Sequence, residues 1–86
     1  MDKAILRLRI QGKLAAGRLP HEDQPRVWGG LGNGETCDGC GETVTKAQMG
    51  IEILDATGHG VQLHVACFYI WEVERRRITH EVSASA

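Results

Sequence analysis

The sequence predicts a small α+β fold, and three changes of hydrophobic period along its 86 residues carry that expectation. Apolar residues recur at helical spacing near the start, alternate from Met49 to Leu63, and return to helical spacing from His64 onward. Two short cysteine-containing pairs bracket the alternating stretch. The expected order is an N-terminal amphipathic helix over residues 1–18, a connecting segment over 19–35, a compact ββα unit over 36–80 and a flexible tail over 81–86.

Each element has its local signals. In the first helix Asp2 is placed as the N-cap, Leu6, Ile10 and Leu14 recur at i, i+4 and i+8, and Ile5 and Leu8 widen the stripe. Gly17 stands where a helix closes and Pro20 where it cannot continue. The next segment holds Pro20, Pro25 and four glycines at Gly29, Gly30, Gly32 and Gly34, which reads as a linker. Trp28 at its head is expected to anchor it to the core. The run Gly30 to Gly34 has no preceding strand and no following Lys-Ser/Thr pair, so it is a poor phosphate loop.

Met49, Ile51 and Ile53 then alternate with Gly50, Glu52 and Leu54, the stretch from Asp55 to Gly60 supplies a turn, and Val61 to Leu63 resumes the extended pattern, giving a β-hairpin. From His64 the residues Cys67, Phe68, Trp71, Arg75 and Ile78 fall on one face of a helix that is expected to end near Thr79 or His80. Phe68, Trp71 and Ile78 are expected to pack beneath Met49, Ile51 and Ile53, with the N-terminal stripe or Trp28 closing the other side.

Composition says why such a chain needs more than burial. Hydrophobic residues make up 42% of it, but only Trp28, Phe68, Tyr69 and Trp71 are aromatic and eleven residues are glycine. A core built from this material leaves stability marginal, and chains of this size usually carry a staple. Three cysteines cannot be consumed by internal disulfides. They fall instead as Cys37-Asp-Gly-Cys40 and His64-Val-Ala-Cys67, 23 residues apart, where one histidine completes a set of four.

That set suits one structural zinc ion. Zinc takes four soft or borderline donors in a tetrahedron, and three cysteine sulfurs with one histidine nitrogen are a common choice. A C-x2-C turn aims both sulfurs at one ion, and Gly39 and Gly41 are expected to supply the positive backbone angles of that turn. His64 and Cys67, at i and i+3, are expected to share one face of the first turn of the C-terminal helix, where free N–H groups favour thiolates. Read as a redox dithiol, Cys37 and Cys40 would open a helix after a strand, which the glycines oppose. His59 competes for the fourth position but lies in the glycine-flanked turn; His21 and His80 lie outside the set. Finger-type sites gain about 10–16 kcal/mol from zinc, as much as the whole stability of an ordinary domain.

The order of knuckle, hairpin and ligand-bearing helix resembles the treble-clef class of zinc fingers. The spacing of Cys37, Cys40, His64 and Cys67 resembles the first zinc-binding half of a LIM domain, over roughly residues 36–78. A LIM domain continues with a second set of cysteines, whereas this chain continues Phe68-Tyr-Ile-Trp-Glu into an apolar helix. Trp28-Gly-Gly, the stretch from Cys37 to Glu42 and the helix from Cys67 to Arg75 also resemble small bacterial zinc-binding proteins, a likeness that brings no activity with it.

Charge narrows the function. The formal net charge is -1, but residues 1–26 carry six cations against three anions, residues 27–74 one against seven, and residues 75–86 three against one. Basic ends around an acidic middle fit either a nucleic-acid contact or the ends lying on the acidic body. The nucleic-acid candidates are Arg7, Arg9, Lys13 and Arg18 on the first helix and Arg75, Arg76 and Arg77 on the second, the last three equally suited to a helix C-terminus beside Glu72 and Glu74. Arg7 and Arg9 break the early apolar run, which does not fit a secretory leader; a transit peptide would be richer in serine and free of Asp2. No window is long and apolar enough to span a bilayer, so the expected compartment is the cytoplasm.

A closed four-ligand site leaves no position for a catalytic water, and Glu35, Glu42, Glu52 and His59 form no recognisable catalytic spacing, so no enzyme is expected. The reading is a structural zinc protein acting as a protein-interaction or regulatory module, whose partner is another protein or a second copy engaged through the N-terminal helix. The alternative is a nucleic-acid-binding zinc finger. No membrane and no small-molecule substrate are expected.

Overall fold

The computed structural model describes residues 2–21, 26–54 and 58–85, with side chains described as far as Arg77. It has helix α1 (Lys3–Ala15), strands β1 (Arg26–Leu31), β2 (Glu35–Thr36), β3 (Thr43–Val44), β4 (Met49–Leu54) and β5 (Gly60–His64), and helix α2 (Val65–Ser85). One antiparallel sheet has the order β1-β4-β5, and β2 pairs with β3 in a separate two-stranded ribbon. The expected hairpin is β4 and β5; residues 55–57 of its turn and the side chain of Ile78 lie outside the described residues.

Helix α1 forms as its sequence dictates. Asp2 Oδ1 accepts the Ala4 N–H at 3.4 Å, and at the other end Gly17 adopts φ +73° while Arg18 N–H reaches the Lys13 carbonyl at 2.8 Å and Gly17 N–H the Leu14 carbonyl at 3.1 Å. These are the two bonds of a Schellman closure, and only glycine enters its left-handed backbone cheaply. Leu6, Ile10 and Leu14 are buried; Ile5 and Leu8 are exposed, so the stripe is narrower than the sequence suggested. The helix packs on α2. Gln11 Nε2 donates to Glu74 Oε1 at 2.6 Å, and the connection beyond α1 is held where the Trp71 indole N–H donates to the Pro20 carbonyl at 2.8 Å.

The core joins Leu6, Ile10, Leu14 and Leu19 to Val44, Ile53, Val61, Leu63, Cys67 and Trp71, with Phe68 partly buried beside it. The N-terminal stripe closes the core, and Trp28 does not: it is 48% exposed.

Three expectations change. The segment read as a linker contains β1, which pairs with β4 from Arg26↔Leu54 to Leu31↔Met49. Glycine has no side chain to alternate, so the strand is invisible to a period-two reading; the backbone ladder makes it. His64 closes β5 rather than opening the helix, because its backbone still pairs opposite Gly50. Helix α2 runs on to Ser85, through the residues read as a tail.

Candidate metal centre

Cys37 and Cys40 come from the turn between β2 and β3, His64 from the end of β5 and Cys67 from the first turn of α2. Their donor atoms all lie within 4.8 Å of one another. Cys40 Sγ is 3.4 Å and Cys67 Sγ 3.9 Å from His64 Nδ1. A tetrahedron with zinc–sulfur bonds of about 2.3 Å and zinc–nitrogen bonds of about 2.0 Å has edges of about 3.6 Å, so both distances suit it. All three cysteines are buried and none is in a disulfide.

The polypeptide around the set is arranged for anionic sulfur. Cys37 Sγ accepts the His64 N–H and Cys40 Sγ the Glu42 N–H, each at 3.4 Å. The turn closes through Gly41 N–H to the Cys37 carbonyl at 2.9 Å and Cys37 N–H to the Glu42 carbonyl at 2.8 Å. Gly41 has φ +84° and meets the need for a left-handed residue. Gly39 has no positive φ; its requirement is space, since a Cβ there would sit 3.1 Å from Leu63 Cδ2, 3.3 Å from Cys67 Cβ and 3.4 Å from Ile10 Cγ1. The glycine lets the knuckle lie against α1, β5 and α2 together.

His64 is oriented by a second contact. Its Nε2 lies 3.0 Å from the Thr43 carbonyl, which can only accept, so the proton belongs on Nε2 and the Nδ1 lone pair faces the sulfurs. Among the thiols, Cys37 is pulled down to about 4, chiefly by the hydrogen bond from Cys67, against the opposing effect of burial. Cys67 is pushed above the ordinary thiol range by that same bond and then by burial, and Cys40 is pushed up by burial first. The cluster thus concentrates negative charge on one sulfur. A divalent cation at its centre would draw the other two into the thiolate form. Three cysteines and one histidine could hold a metal ion, and the soft donor set suits zinc.

The knuckle also completes the sheet. Asp38 N–H donates to the Gln62 carbonyl at 2.7 Å, and Asp38 Oδ2 accepts the Gln62 N–H at 2.8 Å. With Cys37 Sγ on the His64 N–H, the outer edge of β5 is closed by the turn that carries two of the four donors.

The basic candidates do not all line one hollow. Arg9 donates to the Cys40 carbonyl at 2.7 Å, tying α1 to the knuckle, and lines a hollow with Lys13, Arg18 and Gly39. Arg7 lies elsewhere, beside Lys3, Tyr69 and Val73. Arg75 is buried, 4.9 Å above the Trp71 ring and bonded to Glu72 at 2.7 Å, so it is a packing residue. Arg76 and Arg77 are exposed and lie 3.0 Å from Glu72 and 3.7 Å from Glu74. His59 is exposed and stands apart from the metal cluster. The histidine that sequence reasoning passed over is His21, whose Nε2 lies 2.7 Å from the Leu14 carbonyl at the end of α1. No described helix is long and apolar enough to cross a membrane.

No family model, curated protein or solved structure matches the chain.

Proposed function

We propose that this chain is a structural zinc protein of treble-clef type that serves as a protein-interaction module and is not an enzyme. One observation carries the reading: four zinc-type donors lie within 4.8 Å of one another on three separate elements of a chain whose apolar core is small. An ion there would join knuckle, sheet and helix, and four protein donors fill a tetrahedron, which leaves no position for a reacting water. Cytoplasmic residence remains the expectation, in keeping with three free thiols.

The interaction role is supported by large apolar side chains left in solvent, Trp28, Leu31 and Met49 on the sheet and Tyr69 and Val73 on α2. Leu6, Ile10 and Leu14 of α1 are consumed in the core, while Ile5 and Leu8 of that helix stay exposed and add to the apolar surface a partner would meet. Nucleic-acid binding has less support. Arg75 is buried, Arg76 and Arg77 lie beside glutamates, and the group that remains together is Arg9, Lys13 and Arg18.

Native mass spectrometry of the purified full chain, before and after chelation with EDTA, tests the staple. The expected result is one zinc per chain, with chelation collapsing the near-ultraviolet dichroism. A metal-free chain with unchanged dichroism overturns it. Retention on heparin that falls steeply with salt would move the reading to nucleic acid, since counterion release makes phosphate contacts salt-sensitive.

A further inference from the structure

Among the described residues, one of the sheet's two edges is covered and the other is not. Along β5 the outward backbone groups of Gln62 and His64 are taken by Asp38 and Cys37. Along β1 the outward groups follow from register. Gly32 N–H donates to the Gln48 carbonyl at 2.8 Å, continuing the pairing in which Gly30 faces Gly50 and Trp28 faces Glu52. In an antiparallel ladder such directly bonded positions alternate, so Arg26, Trp28 and Gly30 point their backbone groups at β4, while Val27, Gly29 and Leu31 point theirs away. Among the described residues, no hydrogen bond is made by those three outward positions. An exposed edge of this kind is a template for another strand unless something blunts it.

The side chains name the occupant. We infer that β1 pairs antiparallel with β1 of a second copy about a two-fold axis through Gly29, joining two three-stranded sheets into one of six. In that register Gly29 faces Gly29 of the second copy, Val27 faces its Leu31, Trp28 faces its Gly30, and Arg26 faces its Gly32. Each match uses a feature that is unsatisfied in one copy. Val27 and Leu31 are 47% and 69% exposed on the sheet face that α2 covers at β4 and β5. On the opposite face, Gly30 borders a hollow of 220 Å³ that Trp28, Val44 and Glu52 also line; Val44 already covers Gly32 and Gly50, whereas a Cβ at Gly30 would meet nothing within 4 Å. Trp28 of the second copy is delivered onto that hollow, and Trp28 of the first is delivered onto its counterpart. An aromatic ring covering a cross-strand glycine is a known means of stabilising a sheet edge.

Charge agrees with the register. Glu35 and Glu52 line the hollow, and Arg26 has no ion-pair partner among the described residues. Placed opposite Gly32, Arg26 of the second copy stands at the Glu35 end of the hollow, and the two-fold axis makes the contact twice. A two-fold interface must be self-complementary, with knob and hollow on the same patch, and β1 carries both. This inference deepens the protein-interaction reading and rests on it: it names a second copy of this chain as the partner.

Sedimentation equilibrium of the zinc-loaded full chain, from micromolar to near-millimolar concentration, tests it. The expected result is a mass that moves from one chain to two. Trp28→Ala should weaken association by about thirtyfold or more, the loss typical of a central aromatic anchor. Gly30→Val should abolish it by filling the hollow, although the open space over Gly30 lets the monomer fold. Gly29→Pro should also abolish it, because it removes an outward N–H and leaves the β4 ladder intact. Zinc stoichiometry and far-ultraviolet dichroism equal to the parent's identify variants that still fold. A zinc-loaded parent that stays monomeric throughout overturns the dimer while leaving the zinc module standing, and a dimer that survives both Trp28→Ala and Gly30→Val overturns the β1 interface.

Discussion

Gly39→Ala separates two explanations of why the knuckle contains a glycine, because they predict opposite signs. If Gly39 served only to make the chain flexible, alanine would stabilise the fold by about 0.4–1 kcal/mol, since φ there is not positive and the unfolded chain would lose freedom. The packing argues otherwise. The new methyl group would lie 3.1 Å from Leu63 Cδ2, 3.3 Å from Cys67 Cβ and 3.4 Å from Ile10 Cγ1, on three different elements. Favourable carbon contacts begin near 3.5 Å, so at least one neighbour must move, and Leu63 and Ile10 are fully buried. Overpacking of this kind costs about 1–3 kcal/mol. In a domain of this size that lowers the melting temperature by about 4–8 °C for each kcal/mol. Urea unfolding of the zinc-loaded protein gives the sign directly. A Gly39→Ala variant as stable as the parent, or more so, would refute the claim that the knuckle is seated against α1, β5 and α2 at once. Gly41→Ala supplies the contrast: its cost of about 1–2 kcal/mol comes from φ +84° and not from crowding.

Other consequences are equally open to measurement. With Cys37 held at about 4 and Cys40 and Cys67 raised, zinc binding near neutral pH should release about two thiol protons, so apparent affinity climbs about a hundredfold per pH unit. Calorimetric titration in buffers of different ionisation enthalpy counts those protons, and three or more at pH 8 would contradict a single charged sulfur. Trp71→Phe removes the indole donor to the Pro20 carbonyl and some buried volume, and should cost about 1–3 kcal/mol by urea unfolding of the zinc-loaded protein.

The cysteine–histidine cluster was legible in the sequence because spacing alone brings Cys37 to Cys40 and His64 to Cys67, and a hairpin between the pairs returns the second to the first. Helix α1 was legible through Leu6, Ile10, Leu14 and Gly17, each of which does what its position implies. Strand β1 was not, because Gly29 and Gly30 give it no side-chain period and its pairing with β4 is a long-range event. The burial of Arg75 was hidden for a related reason: its charge suggested solvent, while the ring face of Trp71 one turn earlier and Glu72 beside it offered a place inside. Gly39 was singled out correctly and explained wrongly, since crowding by Leu63, Cys67 and Ile10 is invisible until the chain is folded.

The pairing of Asp38 with Gln62 also bears on how far association through the sheet can go. A sheet with one open edge can add one neighbour and stop, because the pair so formed has no edge left to offer. Were the knuckle to leave β5 while the strands stayed paired, a second edge would open, and a sheet open on both sides can add copies without end. The two hydrogen bonds that Asp38 makes to Gln62 thus mark the boundary between a closed assembly and a growing filament.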